Sequence, residues 1–127
     1  MINLIGRISV FPKLPPAIAR LHELAYNLWW SWEDEAQALY ARIDPALWMA
    51  TNHNPVRFLR NVHQEKLNQA AQDAEYLTAY ARVMAAFEGY MNPPGGAWFD
   101  QRHGDKRGQL IAYFSAEFGL HEALPIY

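Results

Sequence analysis

Apolar residues recur at helical spacing from about residue 16 to residue 91, and the pattern changes only near the end of the chain. Ile18, Leu21, Ala25, Leu28, Trp29 and Trp32 fall on one stripe, which predicts a first helix from about Pro16 to Trp30. Prolines are tolerated at such a start because the first helical amides have no partner. Ser31 with Asp34 has the spacing of a capping box and opens a second helix with Ala36, Leu39, Tyr40 and Ile43 on its inner face. Asp44-Pro45 and Asn54-Pro55 each read as an N-cap followed by a first-turn proline. They open two short helices, one with Leu47 and Trp48, the other with Val56, Phe58 and Leu59. Residues 64–71 read as helical. Asp73 caps a longer helix to about Met91, with Leu77, Tyr80, Val83, Met84 and Phe87 as its stripe. Asn92-Pro93-Pro94-Gly95-Gly96 ends that helix. Residues 1–14 read as extended or irregular, and residues 100–108 as a charged linker.

The period then switches. Leu110 to Phe114 is a short apolar run of strand type, rich in β-branched and aromatic residues. Ser115 and Glu117 follow where a buried strand would end, and Gly119 relaxes the backbone after them. Open α/β sheets build ligand sites just past the ends of such strands. A lone strand has no sheet to join in an otherwise helical chain. The expectation is therefore a mainly α chain, helical over residues 1–103, with residues 104–127 starting an incomplete α/β domain. At 127 residues the chain is long enough for one compact domain and not two.

Composition narrows the chemistry. With 51% hydrophobic and 19% charged residues the chain has the balance of a folded domain rather than a disordered tail. A net charge of −2 gives no reason to expect nucleic acid as a partner. The absence of cysteine excludes disulfides, zinc-thiolate sites and thiol catalysis, and is compatible with a cytoplasmic location. No apolar run approaches the ~20 residues of a membrane span, and the first residues do not have the pattern of a signal peptide.

Candidate residues each have a plain reading beside the functional one. The cluster Trp29-Trp30-x-Trp32 invites sugar stacking, but Trp29 and Trp32 lie on the apolar stripe and read as core. Trp30 points about 100° away from Trp29. It is either a second packing surface or an interface with a further domain. His22-Glu23 and His121-Glu122 lack a second histidine four residues after the first, so neither reads as a metal site. His53 precedes an N-cap and reads as a structural hydrogen-bonding group, while His63 and His103 read as solvated. No Gly-rich phosphate loop and no Ser/His/Asp array is present. Glu33, Asp34 and Glu35 sit at a helix start, where the helix dipole explains them. Glu117 is the exception, since a carboxylate amid Phe114, Phe118 and Leu120 is costly to bury unless paired. It is either a structural ion-pair member or a polar group lining a cleft. Tyr113 and Ser115 are weaker candidates beside it.

Several blocks of the chain resemble a known family. Tyr113, Ser115, Glu117 and Phe118 match the Tyr-x-Ser-x-Glu-Phe/Tyr at the start of the catalytic domain of α-glucan (glycogen/maltodextrin) phosphorylases. Upstream, Leu24-Ala25-Tyr26-Asn27-Leu28-Trp29-Trp30-Ser31-Trp32, Asp44-Pro45-x-Leu47-Trp48 and His53-Asn54-Pro55-Val56 resemble the helical N-terminal region of the bacterial and archaeal subgroup. In the animal-type pattern Met-Gly-Arg-x-Leu follows, whereas this chain has Leu120-His121-Glu122-Ala123-Leu124, so no contact of that arginine carries over. The resemblance implies an N-terminal part of an enzyme whose catalytic domain is of the two-Rossmann-domain glycosyltransferase type. That enzyme cleaves α-1,4-glucan ends with phosphate, giving glucose 1-phosphate, with pyridoxal phosphate on a lysine far C-terminal of this chain. Glu117, Tyr113 and Ser115 are then substrate-side residues, with no catalytic, cofactor-binding or metal-binding residue in the chain. Lys66 and Lys106 match no cofactor motif. The expected partners are the glucan, phosphate and the remaining catalytic domain. The other reading is a stand-alone helical interaction or glucan-binding module without catalysis.

Overall fold

The computed structural model describes residues 11–115 and 121–123. Seven α-helices carry it: α1 (Leu21–Ala25), α2 (Asp34–Ile43), α3 (Pro45–Ala50), α4 (Pro55–Asn61), α5 (Gln64–Ala70), α6 (Ala74–Met91) and α7 (Trp98–His103). Single 3-10 turns occupy Pro16–Ile18, Leu28–Trp32 and Gly104–Lys106. The helix α2 lies at the centre, against α3, α5, α6 and the Leu28–Trp32 turn, while α1 packs on α4. Leu39, Tyr40, Phe58, Leu67 and Phe87 are among the side chains with almost no solvent contact. Tyr40 is an α2 residue whose ring is wholly buried; its hydroxyl donates to the Leu21 carbonyl at 3.1 Å, which satisfies the one polar atom it takes inside.

Three caps form as their residue types require. Asp44 accepts from the Leu47 amide, Asn54 from the Arg57 amide, and Asp73 from the amides of Glu75 and Tyr76. Asp44 has a second partner, the Lys66 ammonium at 2.8 Å, which ties the start of α3 to α5. Lys66 and then the Leu47 amide hold the Asp44 carboxyl below the usual carboxylate range. Its contribution to stability is therefore present above the unfolded-state pKa of about 3.9 and disappears as pH falls through the folded-state value. Asp44→Ala should cost about 1–2 kcal/mol at pH 7, chiefly from the lost cap. Urea unfolding at pH 7 and pH 3 should show the gap to wild type narrowing in acid; an equal or wider gap at pH 3 would contradict the assignment.

Five expectations change. The first helix is three pieces rather than one, because Asn27 caps a new turn by accepting from the Trp29 amide and so restarts the phase. As a result Trp32 is 58% exposed and Trp30 only 3% exposed, the reverse of the helical stripe. Ser31 makes no capping box; its hydroxyl donates to the Leu28 carbonyl at 2.7 Å, and Glu33 precedes α2 without a side-chain cap. Residues 98–106 are short helical turns rather than a linker throughout, entered through Gly95 and Gly96 at φ of 81° and 83°. His103 packs edge-on to Trp98 at 5.4 Å instead of standing free in water. Finally, residues 110–115 belong to no strand, and no strand occurs among the described residues. Leu110, Ile111 and Phe114 are more than nine-tenths exposed, as an apolar segment must be when no neighbouring strand supplies hydrogen bonds. Glu117 lies outside the described residues.

Candidate functional site

The most organised polar constellation forms where α3 ends. The end of α3 is a Schellman motif: the Asn52 amide donates to the Met49 carbonyl and the His53 amide to the Trp48 carbonyl, both at 3.0 Å. Asn52 takes the left-handed conformation such an ending needs, at φ 53°. His53 is also left-handed, at φ 53°, which the motif does not require. Directly after it Asn54 caps α4, so three special backbone positions stand in a row.

This corner sits on an aromatic cluster. Trp48 stacks on Tyr40 at 5.3 Å and meets Phe58 edge-on at 6.0 Å. Trp30 meets Trp48 edge-on at 6.3 Å, so its ring is a second packing surface of the Leu28–Trp32 turn. Trp29 faces the other way, onto Phe87 and Tyr90 of α6 at 5.3 and 6.3 Å. The sugar-stacking reading fails for Trp29 and Trp30, whose rings are consumed by this packing.

Residues 121–123 dock on the same cluster. The His121 ring stands edge-on to Trp30 at 4.5 Å. The Ala123 amide donates to His121 Nδ1 at 3.1 Å, so that nitrogen is unprotonated. Burial, the largest effect, holds the His121 imidazole below its ordinary pKa, with nearby His53 acting in the same direction and Glu122 against it. The Glu122 carboxylate pairs with His53 Nδ1, whose ring lies 5.3 Å from Trp48 and whose Nε2 faces the Met49 sulfur at 3.0 Å. Ala123 closes a groove of about 110 Å³ lined by Ala25, Leu28, Trp30, Pro55 and Val56.

The sequence reading found His53 as a hydrogen-bonding group but missed its partner. It set aside His121-Glu122 for lack of a metal spacing, and no metal-binding cluster occurs among the described residues. The usable signal was Asn52-His53-Asn54-Pro55, where a left-handed helix ending and a new cap share adjacent residues. Tyr113 and Ser115 lie in the exposed 110–115 segment.

A pyridoxal cofactor does not fit these residues. A Schiff base needs a shielded amine free of an ion pair. Lys66 is engaged by Asp44, and Lys13 and Lys106 are exposed.

Known proteins resemble the chain over nearly its whole length. Glycogen phosphorylase of Mycobacterium tuberculosis is 40% identical over 126 residues, covering 95% of this chain. Maltodextrin phosphorylase of Thermococcus litoralis is 36% identical over 115 residues, covering 91%. Glycogen phosphorylase of Aquifex aeolicus is 36% identical over 107 residues, covering 84%. The chain spans about 14% of the length of each, at its N-terminal end. No solved structure matches it. A family model described as "Protein of unknown function (DUF3417)" matches residues 14–124, and the chain belongs to that family.

Proposed function

We propose that this chain is the N-terminal helical part of an α-glucan phosphorylase. The observation that carries the reading is 36–40% identity, over nearly all of the chain, to bacterial and archaeal proteins named glycogen or maltodextrin phosphorylase. In the full-length protein the bond from C1 of the terminal glucose to the bridging oxygen breaks. A phosphate oxygen takes C1, and a proton goes to the bridging oxygen, giving glucose 1-phosphate and a shortened glucan. Pyridoxal phosphate would be held outside this chain, in keeping with the poor fit of Lys13, Lys66 and Lys106. Residues 1–103 form the helical domain, and residues 104–127 lead into the catalytic domain, where Leu110–Phe114 joins a sheet. Glu117, with Tyr113 and Ser115, lines the sugar cleft. The enzyme works in the cytoplasm, in keeping with a chain that has no cysteine.

Glucose 1-phosphate release from maltodextrin and phosphate tests this. The full-length protein should produce it. The isolated 127-residue chain should produce none, even with pyridoxal phosphate added. Turnover by the isolated chain, or none by the full-length protein, would overturn the reading.

A further inference from the structure

We infer that His53 is a positioning residue, which through Glu122 holds the run ending at Ala123 against the helical domain and so sets the rate of glucan turnover. The inference rests on the phosphorylase reading for the turnover it affects, though not for the contact itself.

Stability does not account for the arrangement at His53. The left-handed region is unfavourable for a non-glycine residue, and the Schellman ending of α3 needs only Asn52 to adopt it. An ion pair this open to water adds little stability; the Glu122 side chain is 59% exposed and that of His53 is 27% exposed. The ion pair by itself therefore does not explain why His53 is turned this way. What the turn achieves is direction. It brings Nδ1 to Glu122 while the same ring lies against Trp48.

The neighbouring contacts fix the same three residues independently. His121 is pinned on Trp30 and takes the Ala123 amide, and Ala123 lines the groove beside Pro55. Residues 121–123 directly follow the segment that carries Tyr113, Ser115 and Glu117. Holding its far end limits where that segment can lie. Small misplacements of substrate-side groups lower rate far more than they lower stability.

The test uses the full-length protein with His53→Ala, His53→Asn, Glu122→Gln and the double variant His53→Ala/Glu122→Gln. Amide hydrogen exchange is read on the peptide containing Ala123, and kcat/KM is read for maltodextrin. His53→Ala and Glu122→Gln should each speed exchange at residues 121–123. Each should lower kcat/KM about threefold, within what an ion pair this exposed can hold in place. The double variant should be no worse than the worse single one. His53→Asn, whose amide nitrogen lies where Nδ1 does, should recover most of the activity, with Tm within a few degrees of wild type throughout. Unchanged exchange overturns the inference. So do losses that multiply to about tenfold in the double variant, or a His53→Asn variant as poor as His53→Ala. If the wild-type protein shows no phosphorolysis, the phosphorylase reading fails, and the exchange experiment still decides whether His53 holds residues 121–123.

Discussion

Trp30→Ala should destabilise the helical domain by about 3–5 kcal/mol, and Trp29→Ala by a similar amount, while Trp32→Ala should cost under about 1 kcal/mol. Trp29 and Trp30 are 4% and 3% exposed, on opposite sides of one short turn. Trp29 fills the space above Phe87, and Trp30 the space between Trp48 and His121. Truncating either leaves a cavity whose walls belong to different helices, so little collapse can repair it. Trp32 meets only Tyr90 edge-on at the rim, at 6.2 Å, and is mostly in water already. Urea unfolding followed by far-ultraviolet circular dichroism separates the three. A Trp32→Ala variant as costly as the other two would show that the turn packs on the face the sequence pattern suggested.

That contrast shows what could be read in advance. The caps at Asp44, Asn54 and Asp73 were legible because each depends on one side chain and amides two or three residues away. The α6 stripe was legible at Val83, Met84 and Phe87 because an 18-residue helix keeps its phase, whereas Tyr76, outside the expected stripe, is buried and Leu77 and Tyr80 are only partly so. The Trp29–Trp32 face was not, since the helical count was carried through Asn27, where the chain starts a new turn. The 110–114 run has strand character, yet a strand is completed by its neighbours, and its residues alone cannot supply them. The dock was hidden for a similar reason. His53 and Glu122 are 69 residues apart, and only the fold of α3 and α4 brings them together. The phosphorylase resemblance, by contrast, lay in short blocks and was readable directly.

Glu117→Gln in the full-length protein should lower kcat/KM for maltodextrin about 10- to 100-fold. That is the loss expected when a charged hydrogen-bond partner worth ~1.5–3 kcal/mol is neutralised beside a substrate. The side chain keeps its shape, so Tm should barely move. The motive is its position past the apolar 110–114 run and the match of Tyr113, Ser115 and Glu117 to the phosphorylase motif. A sharp fall in Tm with unchanged activity per folded molecule would make Glu117 a structural ion-pair member and remove it from the cleft.

Trp30 has one further consequence. Its ring is at once an interior wall of the helical domain and the platform under His121. Docking of residues 121–123 and folding of the domain are therefore thermodynamically linked. Whatever binds only the docked form stabilises the whole domain by mass action. By reciprocity, a change that loosens the domain around Trp48 weakens docking by the same free energy. Heat or denaturant acting on the helices should thus reach the motif run without touching it.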